Sequence, residues 1–171
     1  MAIHSGCVSS ACAVDSGGTP YVFYTFSTSG QLRLDTTWQD EWVSLMVAKT
    51  DYSIRSITAD VMTPGSIPVL AFQSGEGTNP GVIELNYAFF QDPLWQVETI
   101  DSWSGYMYGL AFDLAPDHVP HIAYVKNDVL YYGSRIGGSW EIEEVTSVLI
   151  PEPMTLALLA MGGLALLRRR R

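Results

Sequence analysis

Positive charge is nearly absent from the first 150 residues. The 171-residue chain holds nine Lys and Arg against eighteen Asp and Glu. Four of the arginines are Arg168, Arg169, Arg170 and Arg171, and the one acid beyond residue 150 is Glu152, which leaves 17 acids and 5 bases before it, a net of −12. Phosphate backbones are held by clustered Lys and Arg, so nucleic acid is excluded as a partner. Cysteine is as scarce, with only Cys7 and Cys12. If residues 8–14 form a strand, as their small and β-branched side chains suggest, the two thiols point to opposite faces roughly 17 Å apart. A disulfide spans Cα atoms within about 7 Å, so we expect unpaired cysteines unless Cys7 sits in a turned loop. Neither has the spacing of a zinc site. No Gly-x-Ser-x-Gly, phosphate loop or dinucleotide fingerprint occurs, which removes the commonest motif-borne chemistries. The opening Met1-Ala2-Ile3-His4-Ser5-Gly6 has neither a basic nor an apolar region and does not read as a signal peptide.

The end of the chain is distinctive. Pro151-Glu152-Pro153 precedes an uncharged run from Met154 to Leu167, and Arg168, Arg169, Arg170 and Arg171 follow. As a helix these fourteen residues cover roughly 21 Å, short of a bilayer core of about 30 Å. Snorkelling arginines and local thinning bring a span within reach. Four arginines after an apolar run stay cytoplasmic, which would put residues 1–150 outside. A soluble helix should show a polar face, and this one offers only Thr155 and two glycines. The ordered triplet resembles the PEP-CTERM sorting signal of Gram-negative bacteria. That resemblance implies an exosortase-type membrane protease as partner, transient anchoring in the inner membrane, and release to the cell surface or an exopolysaccharide matrix. An export-dependent tail without a signal peptide leads us to expect that the chain is the C-terminal part of a longer protein.

Residues 13–147 repeat one pattern three times. It begins with an aspartate after small or apolar residues (Asp15, Asp60, Asp113), and a turn follows. Proline then leads an apolar run: Pro20-Tyr21-Val22-Phe23-Tyr24, Pro68-Val69-Leu70-Ala71-Phe72 and Pro120-His121-Ile122-Ala123-Tyr124. Further on, a tryptophan stands five residues before valine or isoleucine, at Trp42, Trp95 and Trp140. The prolines are 48 and 52 residues apart and the tryptophans 53 and 45. Abundant aromatics with few Lys, Glu and Arg favour strands over helices. A unit of 40–50 residues with four short strands has the spacing of a β-propeller blade. We therefore expect an all-β fold: a partial propeller of about three four-stranded blades (8–50, 54–101 and 106–147), the C-terminal fragment of a larger one. A hydrophobic helix would follow within the sorting segment, 148–171.

The stretch Val119-Pro120-His121-Ile122-Ala123-Tyr124, with Leu130-Tyr131-Tyr132 and Ser139-Trp140-Glu141, resembles sialidase-like (BNR-like) propeller repeats. An Asp-box reads Ser-x-Asp-x-Gly-x-x-Trp. The nearest match, Ser134 to Trp140, has Ile136 in place of the aspartate and is one residue short, which weakens any claim to sialidase activity. Three blades are fewer than the four to eight of a closed ring, and the outermost would keep exposed flanks.

Chemistry is thin in the repeats. Sialidases clasp a carboxylate with several arginines, whereas Arg33, Arg55 and Arg135 fall in different parts of their units. His118 and His121 flank a proline turn and read as turn and packing residues. No cofactor is expected; Asp113, Asp117 and Asp128 offer oxygens to a Ca²⁺ ion, but their spacing matches no known loop. The links Lys49–Ser53 and Asp101–Tyr106 should open on one face of the propeller. There Tyr52, Trp103 and Tyr106 would stack on sugar rings while Asp51 and Asp101 accept hydroxyl hydrogen bonds. The expected function is an exported, non-catalytic propeller that binds polysaccharide or protein. The alternative is a sialidase-type glycoside hydrolase whose active residues lie partly in absent N-terminal blades.

Overall fold

The computed structural model of the chain describes residues 7–26, 30–63, 65–75, 81–106 and 109–145. The triplet Pro151, Glu152 and Pro153 expected to act in sorting, the expected helix, and Arg168, Arg169, Arg170 and Arg171, expected to set membrane orientation, lie outside the described residues, as does the opening hexapeptide. Within them the protein is all-β, and no helix is long and apolar enough to cross a membrane. The first sheet has strands β1 (Cys7–Val14), β2 (Pro20–Phe26), β3 (Gln31–Trp38) and β4 (Glu41–Lys49). The second has β5 (Ser53–Met62), β6 (Ile67–Gly75), β7 (Gly81–Gln91) and β8 (Leu94–Gly105), and the third β9 (Leu110–Leu114), β10 (Pro120–Lys126), β11 (Val129–Ile136) and β12 (Ser139–Glu144). Each sheet is an antiparallel meander in chain order.

Local chemistry explains the meanders. Pro20 and Pro120 open β2 and β10, where a missing N–H costs least. The residue two places before each repeat proline has a left-handed backbone: Gly18 at φ 86°, Ser66 at 51° and His118 at 65°. Asp15 braces the first of these turns by accepting the amides of Gly17 and Thr19 at 2.9 and 2.8 Å. Three later hairpins turn on two left-handed residues, Gln39-Asp40, Asn127-Asp128 and Gly137-Gly138, the shape that matches strand twist.

The three sheets lie side by side, with β1 next to β5 and β5 next to β9. Phe23, Leu32, Leu34 and Val47 of the first sheet pack on Ile54, Leu70, Phe72 and Ala88 of the second. On its other side, Ala71, Ile83, Leu85 and Trp103 of the second sheet pack on Ile122 and Tyr124 of the third. Strand β6 is therefore buried from Pro68 to Gly75, whereas Phe23 and Thr25 in β2, and Ile122 and Tyr124 in β10, alternate with more exposed neighbours. Period-two geometry gives every sheet the same two faces. Proline and each second residue after it, such as Leu70 and Phe72 or Ile122 and Tyr124, form a rear face that meets the preceding sheet. The intervening residues, such as Phe23 or Ala71, form a front face that meets the next. Register makes three front rows equivalent: Phe23–Leu34–Leu45, Ala71–Tyr87–Glu98 and Ala123–Tyr132–Glu143. Among the described residues no sheet covers the rear of the first sheet or the front of the third.

Candidate functional site

Of the residues expected to bind sugar, Trp103 and Asp101 are committed to contacts within the protein. Strand β8 runs past the expected unit boundary at Asp101 to Gly105, pairing Asp101 with Leu85 and Trp103 with Ile83. Of the segment expected as an open link, only Tyr106 leaves the strand. Trp103 is 6% exposed and stacks on Tyr124 with centroids 5.7 Å apart, and its N–H points to the Tyr106 carbonyl at 3.4 Å. Its faces are committed to the protein, so it is no sugar platform. Asp101 accepts the Tyr124 hydroxyl at 2.7 Å and pairs with Lys126 at 3.0 Å. Burial first, and then this bond to Asp101, raises the Tyr124 pKa above the ordinary tyrosine range. Asp51 and Tyr52 do lie in the short connection between β4 and β5, where Thr50 donates to the Tyr52 carbonyl at 2.6 Å.

Glu98 does similar work nearby on the same strand. It accepts Arg135 Nε at 2.7 Å and the Trp140 indole N–H at 2.7 Å. The Glu98 bond raises the Arg135 pKa, and the guanidinium lies over Tyr87 and Phe89 at 5.8 and 5.5 Å. Two carboxylates of β8 thus hold the third sheet to the second, a structural use that composition alone did not single out among seventeen acids. Arg33, on β3, holds Ser44 Oγ at 3.2 Å, and Arg55 stands on β5. The three arginines occupy separate sheets or seams and form no clasp.

The suggested Ca²⁺ ligands also separate. Asp117 lies in the turn before β10 and Asp128 in the turn after it, ends that a seven-residue strand holds roughly 20 Å apart. Asp113 and Asp117 accept the amides of Leu114 and Val119. No acidic, histidine or cysteine cluster suited to a metal occurs among the described residues. His118 donates its amide to the Ala115 carbonyl at 2.8 Å, and His121 stacks on and hydrogen-bonds Tyr132. Cys12 is an exposed free thiol.

A different concave surface combines the features that sugar recognition uses. Between the first two sheets, toward the β3–β4 hairpin, lies a half-open cleft of about 320 Å³. Tyr21, Leu34, Trp38, Phe90 and Trp95 wall it; the Thr36 hydroxyl at its edge donates to the Pro20 carbonyl at 2.8 Å, and the Thr19 and Ser66 hydroxyls bond Asp15. Trp38 is 69% exposed, with its ring available to a ligand. Tyr21 donates its hydroxyl to the Ser66 carbonyl at 3.2 Å. Asp15 sits beside them, its pKa lowered chiefly by the Thr19 amide and then by the Ser66 hydroxyl, so the rim keeps a negative charge at neutral pH. Sequence reading missed this cleft because its walls come from β2, β3, β7 and β8, which meet only when two sheets stack. No protein-family model matches the chain, and no curated protein matches it.

Proposed function

We propose that this chain is an exported, non-catalytic binding protein whose three sheets are consecutive propeller-type blades and whose first inter-sheet cleft holds a neutral saccharide. The observation that carries the binding part is the cleft itself, where aromatic rings and hydroxyl side chains together line about 320 Å³. Aromatic faces accept the C–H face of a sugar, and hydroxyls accept and donate to its rim. The Asp15 carboxylate at the mouth favours neutral over anionic sugars. Arg33 holds a neighbouring strand, and Arg135, Glu98 and Asp101 hold the third sheet to the second.

Replacing Trp38 with alanine is expected to weaken binding of a neutral oligosaccharide about tenfold. Because Trp38 is 69% exposed, the melting temperature should stay unchanged. Titration calorimetry of both proteins checks this, and equal affinities would remove the cleft from consideration.

Export rests on the resemblance of Pro151-Glu152-Pro153, the apolar run and the arginine cluster Arg168, Arg169, Arg170 and Arg171 to the sorting signal. In a host with an exosortase-type protease, the double substitution Pro151→Ala and Pro153→Ala should leave the tail uncut and the chain in the inner membrane. Mass spectrometry of fractionated cells reads the outcome. Cleavage of the double variant at the normal rate would defeat the sorting proposal.

A further inference from the structure

Resting on the reading of the first inter-sheet cleft as a saccharide site, we propose that this cleft selects an N-acylated sugar, whose acetamido carbonyl accepts the indole N–H of Trp95. The second seam shows what such an N–H does when an acceptor is supplied. Trp95 and Trp140 are each the second residue of the fourth strand of their sheet. Each packs edge-on against an aromatic ring of the preceding sheet, Phe23 at 6.0 Å for Trp95 and Tyr87 at 5.5 Å for Trp140. Trp140 gives its N–H to the Glu98 carboxylate at 2.7 Å. The N–H of Trp95 is buried and has no partner among the described residues.

Strand register accounts for the difference. Trp140 sits on the row Ala71–Tyr87–Glu98, and the row under Trp95 is Phe23–Leu34–Leu45, so Leu45 stands where the second seam has its acceptor. Leu34 and Leu45 both wall the cleft beside Trp95 and Phe90. The cleft itself has the same origin. Leu34 and Thr36 take the places of Tyr87 and Phe89, whose stacked rings fill the second seam beneath Arg135. Leu45 is 44% exposed, and exposed side chains change rotamer within nanoseconds. Its turning aside opens the Trp95 N–H to whatever fills the cleft.

The surroundings select the acceptor. A buried donor left unbonded carries the full cost of losing its water, so a ligand that supplies an acceptor gains what the empty protein forgoes. Next to Trp95 stand Phe23, Leu34, Leu45 and Phe90, all apolar. A sugar hydroxyl placed there would accept the N–H but bring its own O–H into an apolar wall. A carbonyl accepts without donating, and an acetamido group adds a methyl for the leucines and Phe90 to cover. A carboxylate, the acceptor used at the second seam, is disfavoured by the Asp15 carboxylate, which bonds Thr19 and Ser66 of the cleft lining.

Titration calorimetry of the full-length chain, in a detergent without a sugar headgroup, compares N,N′-diacetylchitobiose with cellobiose. The two share rings and linkage and differ in the acetamido groups. The acetamido sugar should bind about tenfold tighter, the scale of one buried N–H bonded rather than left bare. It should also shift the Trp95 indole proton resonance, which cellobiose should leave in place. Leu45→Glu offers the N–H a carboxylate as Glu98 does, and Trp95→Phe removes the N–H while keeping a ring; each should abolish the preference. Leu45 is exposed, so Leu45→Glu should keep the fold even if Trp95→Phe does not. Equal affinities for the two sugars overturn the proposal and leave the neutral-saccharide reading standing. So does a preference that Leu45→Glu leaves intact, or one that comes with an unmoved Trp95 proton. If neither sugar binds, the cleft reading falls as well.

Discussion

Gly30→Ala is expected to lower the melting temperature by about 6–12 °C, the equivalent of about 3 kcal/mol in a domain of this size. Two costs act together. Gly30 has φ 56°, a left-handed conformation that costs any other residue about 1–2 kcal/mol. An added Cβ would also stand 2.3 Å from the Thr50 carbonyl oxygen and 2.8 Å from that of Tyr52. Both are backbone atoms, and one belongs to a tight link in which the Thr50 amide donates back to the Gly30 carbonyl at 2.9 Å. Relieving the overlap means shifting the connection between the first two sheets, at roughly 1–3 kcal/mol. Gly18→Ala is the comparison. Its φ is 86° but nothing lies within 4 Å of the added carbon, so only the conformational cost should appear. Calorimetric melting of the two variants checks the argument, and equal losses would show that the close approach does not matter.

Phe72→Ala should remove about 3–5 kcal/mol, the largest loss expected from any single side-chain truncation here. Phe72 is fully buried in an inner strand of the middle sheet and shares a core with Phe23, Leu32, Leu34 and Ile54. Truncation leaves a cavity that the flanking sheets cannot close, because β6 is held on both edges by β5 and β7. With total stabilities of about 5–15 kcal/mol, this should bring the protein near unfolding at physiological temperature. Phe72→Leu keeps most of the volume and should cost less than half as much. Urea unfolding of both variants measures the difference. A loss from Phe72→Ala below about 1 kcal/mol, well under the usual cost of such a truncation, would mean that the first two sheets do not share this core.

Much of the architecture was legible from spacing. Proline followed by aromatic and β-branched residues favours an extended segment with its unpaired end first, and three such segments at similar intervals implied three similar sheets. The tryptophans marked the fourth strands for the same reason. The turns were less legible. Gly137-Gly138 advertises a left-handed pair, but Gln39-Asp40 adopts the same backbone without a glycine, because the flanking strands impose the twist. Trp103 misled because the second unit was expected to end at residue 101, which put the indole in an open link, whereas β8 runs on to Gly105. Its burial depends on Tyr124, far along the chain and in a different sheet.

By itself, the sequence determined the strand content, the threefold repeat and the alternation of two faces, since these follow from side-chain preferences and from the pleat of a single strand. Only the tertiary structure decided which face is rear and which front, and which two of many acids bind an arginine, a lysine and a tryptophan. It also decided that the aromatic cleft lies between sheets rather than at their links. Those outcomes depend on residues far apart in the chain meeting across a seam, and a seam has no local signature: the same alternating strand serves equally well whichever of its faces is covered.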